Sequence, residues 1–158
     1  MELPKRKPTR LSEYDYFNQG AYFVTICVKD MKCILSNIIV GEGLRALPQI
    51  DLTSIGQIVE ESICYMQTCY NCVSIDKYVI MPNHIHLLVS ISDTGGRGSP
   101  PLHKIIGQFK SYTTKIYNGV LWQRSFYDHI IRGKEDYDNI WNYIDTNPQR
   151  WILKRETE

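Results

Sequence analysis

Two β-rich runs, 72–81 and 84–91, separated only by Pro82-Asn83, constrain this chain more than any other stretch. Proline cannot donate to a strand ladder and asparagine turns readily, so runs this close fold back as antiparallel neighbours. The second run begins His84-Ile85-His86-Leu87-Leu88-Val89. Side chains alternate faces along a strand, so His84 and His86 project to one side while Ile85 and Leu87 project to the other. Two imidazoles are thereby aimed at a common point, and imidazole is the commonest metal-binding side chain. An oxygen ligand and a reactive group have to come from elsewhere in the chain. Without them, His84 and His86 read equally well as strand histidines with no ligand role.

At 158 residues and 43% hydrophobic content, the chain suits one domain with a proper core. Residues 1–20 read as a basic N-terminal arm and 21–158 as a single domain. The formal charge of +1 provides no global attraction to a polyanion, so nucleic-acid contact must come from local patches such as Lys5, Arg6 and Lys7. No apolar run approaches membrane-spanning length, and polar residues follow the basic start where a signal peptide needs an apolar segment. The expectation is a cytoplasmic protein with no membrane partner. Five cysteines, odd in number and scattered, argue against a disulfide framework. Cys69 and Cys72 match a C-x-x-C spacing but fall where a helix should end, the wrong pole for an activated thiol.

The remaining elements follow from periodicity. Ala21-Tyr22-Phe23-Val24-Thr25-Ile26-Cys27-Val28 is a run of β-branched and aromatic residues that predicts a central strand, and 33–40 predicts a weaker one. Ser54 and Gln57 suggest a capping box opening a helix over 53–70. Leu102 to Tyr117 predicts a second helix, with Ile105, Ile106, Phe109, Tyr112 and Thr113 on its buried side. A last strand is expected at 126–131. Glu135 and Asp136 then suit the first turn of a helix carrying the stripe Tyr137, Ile140, Trp141 and Ile144. That helix should stop at Asn147, before Pro148, with a polar tail beyond.

On this final helix Tyr143 and Asn147 lie roughly 110° and 70° from the centre of the apolar stripe, on one flank. They are one turn apart and share an edge. They could supply what the histidine strand lacks, Asn147 as oxygen ligand and Tyr143 as nucleophile. Equally, they could be an amphipathic tyrosine at a core boundary and an ordinary helix-end residue.

Taken together, Met-Pro-Asn-His84-Ile-His86-Leu-Leu and Tyr143-Ile144-Asp145-Thr146-Asn147-Pro148 resemble the single-tyrosine HUH nuclease superfamily. More narrowly, the chain is similar to the REP-associated tyrosine transposases. The Gly20-to-Thr25 strand, Gly107-to-Tyr112 and the Trp122-to-Arg132 block extend the resemblance in order over most of the chain. It implies an α+β fold, a ferredoxin-like antiparallel sheet with helices packed on one face. It also implies that His84 and His86 bind a divalent metal, that Tyr143 is the catalytic nucleophile, and that Asn147 stands where relatives often carry a glutamine ligand.

The activity so implied is metal-dependent cleavage and rejoining of single-stranded or hairpin DNA through a 5′-phosphotyrosine intermediate. Mg²⁺ prefers oxygen ligands, so the two imidazoles keep Mn²⁺ in contention. Candidate DNA-binding residues are Lys5, Arg6, Lys7, Lys110, Trp122 and Arg124, and His129 is a candidate hydrogen-bond donor behind the site residues. A homodimer is compatible with the resemblance but not required. Three rivals stand beside this reading. A histidine-triad hydrolase needs a third histidine where Leu88 stands. A non-catalytic hairpin-binding regulator would keep the fold and lose cleavage. An RNA-binding ferredoxin-like module would need exposed aromatics on its central strands.

Overall fold

The computed structural model describes residues 20–43, 46–92 and 100–158. The arm with Lys5, Arg6 and Lys7 and most of the glycine-rich stretch at 94–101 lie outside the described residues. The principal sheet runs in the order β4 (Val73–Ile80), β5 (His84–Ile91), β1 (Gly20–Cys27), β6 (Tyr127–Ile130), with every neighbouring pair antiparallel. The central position expected for β1 is correct. The β4–β5 hairpin turns at the expected Pro82-Asn83, closed by Met81 N–H donating to the His84 carbonyl at 2.8 Å.

One sheet face buries Tyr22, Val24 and Ile26 of β1 with Ile85, Leu87 and Val89 of β5. Against it pack α1 (Ser54–Cys69) and α2 (Leu102–Tyr117), through Val59, Ile63, Ile105, Ile106 and Phe109. Each such side chain contributes about 1.5–3 kcal/mol on burial, so this face dominates the stability of the fold. The opposite face can therefore hold polar groups at little risk to folding. There a smaller cluster of Val79, Met81, Leu88 and Ile144, with Phe23, Tyr137, Ile140 and Trp151 against it, seats α3 (Lys134–Asp145) and α4 (Asn147–Glu156).

The ferredoxin-like antiparallel sheet is as expected, but the single helical face holds only for α1 and α2. The second face carries Phe23, Val79, Met81 and Leu88 beside its polar groups, and these apolar side chains also need cover. Other boundaries also shift. Thr53, not Ser54, caps α1, its Oγ1 accepting from Gly56 N–H at 3.1 Å. A strand absent from the expected elements, β3 (Gln49–Leu52), pairs with β2 (Ser36–Ile39) as a separate small sheet. Tyr112 is exposed, stacked on Tyr65, rather than buried. The expected polar tail is helix α4. Pro148 sits in its first turn, where a missing N–H leaves no hydrogen bond unmade, so the proline starts a helix instead of only ending one.

Candidate active site

The hairpin register sets His84 and His86 on the face covered by α3 and α4. Their Nε2 atoms face each other at 3.1 Å. His84 Nδ1 lies 2.7 Å from Asn83 Oδ1, which only accepts, so the ring proton sits on Nδ1 and Nε2 carries the lone pair. His86 Nδ1 lies 2.8 Å from the hydroxyl of Thr25, its cross-strand partner. Each imidazole is thus oriented from behind by an oxygen, the arrangement that metal-binding histidines use. With their Nε2 atoms 3.1 Å apart, the two imidazoles could hold one divalent cation between them.

Burial pushes His84 down to about 4, partly offset by a hydrogen bond with Asn147. Burial, followed by the proximity of His84, pushes His86 down to about 3. Both rings are neutral near pH 7, the form that can ligate. Among the described residues no three His, Cys, Asp or Glu side chains gather in a metal-binding group. An amide oxygen is the side-chain donor that could join the two imidazoles. Asn147, only 6% exposed at the start of α4 and in contact with His84, is in place. The donor set fits a divalent cation that takes its remaining ligands as oxygens.

Tyr143 comes from α3. Its ring meets His86 edge-on at 5.5 Å between centroids and Phe23 at 5.8 Å. It stays 36% exposed, open to a substrate, while the adjacent Ile144 is buried and anchors the helix. Tyr143 and Asn147 do not share one continuous helix as the periodicity suggested. The chain breaks at Thr146, and Asn147 turns inward to the histidines while Tyr143 remains at the rim. All four residues belong to one chain, and within it the Tyr143 ring lies beside His86.

Polar braces fix α3 on the sheet. Asp76 accepts hydrogen bonds from Ser74, Ser90 and Tyr137 at 2.7, 2.5 and 2.8 Å. Burial and then Asp76 push the Tyr137 phenol up to about 12. Lys77 pairs with Asp145 at 2.9 Å and lies 4.8 Å over the Trp141 ring. An ion pair this exposed contributes at most about 1 kcal/mol, less than the buried Ile144, so apolar packing seats the helix and the polar pairs set its register.

The other sequence candidates fall away from the histidines. His129 Nε2 lies 2.9 Å from Asp136 Oδ2, which also accepts the Arg132 N–H, so this histidine braces the start of α3. Trp122 is corrected as a DNA-binding residue. It is 4% exposed, donates from Nε1 to Thr113 Oγ1 at 2.7 Å and packs on Phe109, so no base can stack on it. Lys110 donates to the carbonyls of Gln123 and Arg124. Arg124 itself is exposed.

Four residues at the site escaped the sequence reading: Thr25, Asn83, Arg150 and Trp151. Arg150 lies over the Tyr143 ring at 5.2 Å, and Trp151 is 6.2 Å from His84. Both stand three and four positions after Asn147, a helical spacing that becomes visible only if the tail is read as helix.

No family model matches the chain. A Haemophilus influenzae protein described only as uncharacterized is 31% identical over 170 residues, spanning 92% of this chain and 89% of its own length. A second protein of that organism, described as a "Putative REP-associated tyrosine transposase", is 28% identical over 150 residues, 85% of this chain and 73% of that one. The solved structure of a REP-associated tyrosine transposase bound to a REP hairpin has the same fold. Its TM-score is 0.66 at 21% identity, covering 89% of this chain and 74% of that one. The four-stranded antiparallel sheet and its flanking helices are therefore a transposase-type fold. The chain is thus similar in sequence and in fold to REP-associated tyrosine transposases. No helix among the described residues is long and apolar enough to cross a membrane.

Proposed function

We propose that this protein cleaves and rejoins single-stranded DNA next to a hairpin, with Tyr143 as nucleophile and His84, His86 and Asn147 as the residues that would hold a divalent cation. The observation that carries the reading is the convergence of the Tyr143 ring on His86, whose Nε2 faces that of His84 at 3.1 Å. Hairpin DNA is the chosen substrate because the solved relative is bound to one. When bound, Mg²⁺ or Mn²⁺ would polarise the scissile phosphate and absorb charge developing on its oxygens.

The chain's own residues do the rest. The Tyr143 oxygen attacks phosphorus and gives its proton to water. The new O–P bond forms as the P–O3′ bond breaks, and the departing O3′ takes a proton from solvent. The result is a 5′-phosphotyrosine and a free 3′-hydroxyl. Because the phosphoryl group stays in an ester bond, a 3′-hydroxyl can reverse the step and rejoin strands, which hydrolysis would not allow. Asn83 and Thr25 keep both Nε2 atoms pointing inward, and the Phe23 and Ile144 contacts hold Tyr143 within reach. Arg124 and the arm residues Lys5, Arg6 and Lys7 are proposed to contact the DNA backbone.

The test is an adduct assay. Labelled hairpin DNA with a single-stranded flank is incubated with protein and Mn²⁺, denatured and resolved by electrophoresis. A covalent protein–DNA species is expected, absent in Tyr143→Phe and much reduced in His84→Ala. An adduct that persists in Tyr143→Phe would overturn the assignment of the nucleophile. Hairpin binding without any adduct would instead make the chain a non-catalytic hairpin-binding regulator.

A further inference from the structure

We infer that Arg150 is a further catalytic residue, one that grips the scissile phosphate and stabilises the charge that builds up as Tyr143 attacks. This rests on the proposed role of Tyr143. Arg150 stands on α4, three residues after Asn147, and its guanidinium lies over the Tyr143 ring at 5.2 Å. Its Nε donates to Thr146 Oγ1 at 3.2 Å, so one edge of the guanidinium is fixed to the junction between α3 and α4. The terminal NH₂ groups are left for a ligand.

Among the described residues, no carboxylate lies within ion-pair distance of Arg150, although Lys77, His129 and Lys134 each have one. A side chain kept positive, exposed, unneutralised and tethered beside a reactive phenol is suited to an anion that arrives there. Guanidinium donors in a planar fork match two phosphate oxygens at once, which a lysine ammonium does not.

Geometry also explains why the arginine acts on the transition state more than on binding. Its attachment to Thr146 and its position over the Tyr143 ring hold the positive charge 5.2 Å from the ring centroid of the attacking phenol, whose reaction shares negative charge between phenol, phosphorus and leaving group only while bonds are changing. Donors fixed before the reaction stabilise such charge without having to reorganise. The step is that given above: O–P forms at Tyr143, P–O3′ breaks, and Arg150 neither takes nor gives a proton.

Arg150→Ala, Arg150→Lys and Arg150→Gln test this, compared with the full-length wild-type chain on the same labelled DNA with Mn²⁺. Single-turnover adduct formation and DNA affinity are measured separately, and circular dichroism with Trp151 fluorescence checks that α4 is folded. The expected result for Arg150→Ala is an adduct rate lower by about a hundred-fold, with affinity changed by no more than about three-fold. Lysine should restore part of the rate and glutamine little. Millimolar guanidinium added to Arg150→Ala should recover rate, a rescue that a merely structural role would not show.

An unchanged rate in Arg150→Ala would overturn the inference. So would a loss confined to affinity, or a loss in a folded variant that guanidinium leaves untouched. If wild type gives no adduct while Arg150→Ala and wild type bind DNA alike, the reading of Tyr143 has failed and the inference fails with it. A wild-type adduct with no effect of Arg150 removes the inference alone.

Discussion

Thr25 and His86 face each other across the β1–β5 ladder, and the Thr25 hydroxyl lies 2.8 Å from His86 Nδ1. This contact fixes which ring nitrogen of His86 points towards His84. Thr25→Val keeps the β-branched shape that the strand wants and removes only the hydroxyl. The expected outcome is a loss of Mn²⁺ affinity of about 10- to 100-fold, because a rotated or wrong-tautomer imidazole ligates poorly. Calorimetric titration of the metal-free protein checks it, with thermal unfolding shifted little. Equal Mn²⁺ affinity in Thr25→Val and wild type would show that His86 needs no such partner.

Two glycines in helices should respond to alanine with opposite signs. At Gly56 in α1, an added Cβ would collide with the carbonyl oxygen of Leu35, which is backbone and cannot swing away. Gly56→Ala is expected to destabilise by about 3 kcal/mol or more, as overpacking against a fixed neighbour does. At Gly107 in α2, nothing lies within 4 Å of an added Cβ. Gly107→Ala is expected to stabilise by about 0.5–1 kcal/mol through helix propensity. Urea midpoints at unchanged slope decide both.

These cases indicate what the sequence discloses. The β4–β5 hairpin, the central β1 and the α1 and α2 spans are legible because hydrophobic alternation and helical spacing are local properties. His84 and His86 are legible for the same reason, since strand alternation alone aims them together. The contact of Thr25 with His86 is not, because it depends on a ladder register between residues 61 apart. Trp122 misleads because aromatic composition does not reveal whether an indole faces a base or Thr113. Arg150 and Trp151 were hidden by the proline. The rule that Pro148 ends a helix is sound for the residue before it, yet the same proline is well suited to begin the next one.

Alkaline pH should loosen the fold through Tyr78 and Tyr137. Burial, then Glu60 for Tyr78 and Asp76 for Tyr137, raises each phenol to about 12. A phenol with a folded value above its unfolded value near 10 favours the native state fully below pH 10 and loses that contribution as pH rises through 12. Stability is therefore expected to fall between pH 10 and 12. Tyr137→Phe, which cannot ionise, should flatten part of that fall while lowering stability at pH 7 through the lost bond to Asp76. Tyrosinate absorbance followed with urea unfolding at each pH is the measurement. A fall equally steep in Tyr137→Phe would exclude this residue as a source.

Asn147 offers the sharpest test of the proposed cation site. It is the buried oxygen-bearing side chain beside His84, and it is reached only because α3 breaks at Thr146. A cation that binds the native state alone stabilises it by about 2.7 kcal/mol at a hundred times its dissociation constant. In a chain of this size that is a rise of several degrees in melting temperature. Asn147→Ala should lower this Mn²⁺-induced rise by removing a ligand. Asn147→Asp should act in the opposite way, and in two parts. Without metal, a carboxylate placed at this buried position beside neutral imidazoles is poorly solvated and lowers the melting temperature. With Mn²⁺, the same carboxylate gains a divalent partner, and the rise should exceed that of the wild type. Differential scanning fluorimetry with and without Mn²⁺ separates the two parts. If alanine, aspartate and asparagine at 147 all give the same Mn²⁺-induced rise, the amide is not a ligand, and water would have to complete the coordination of His84 and His86.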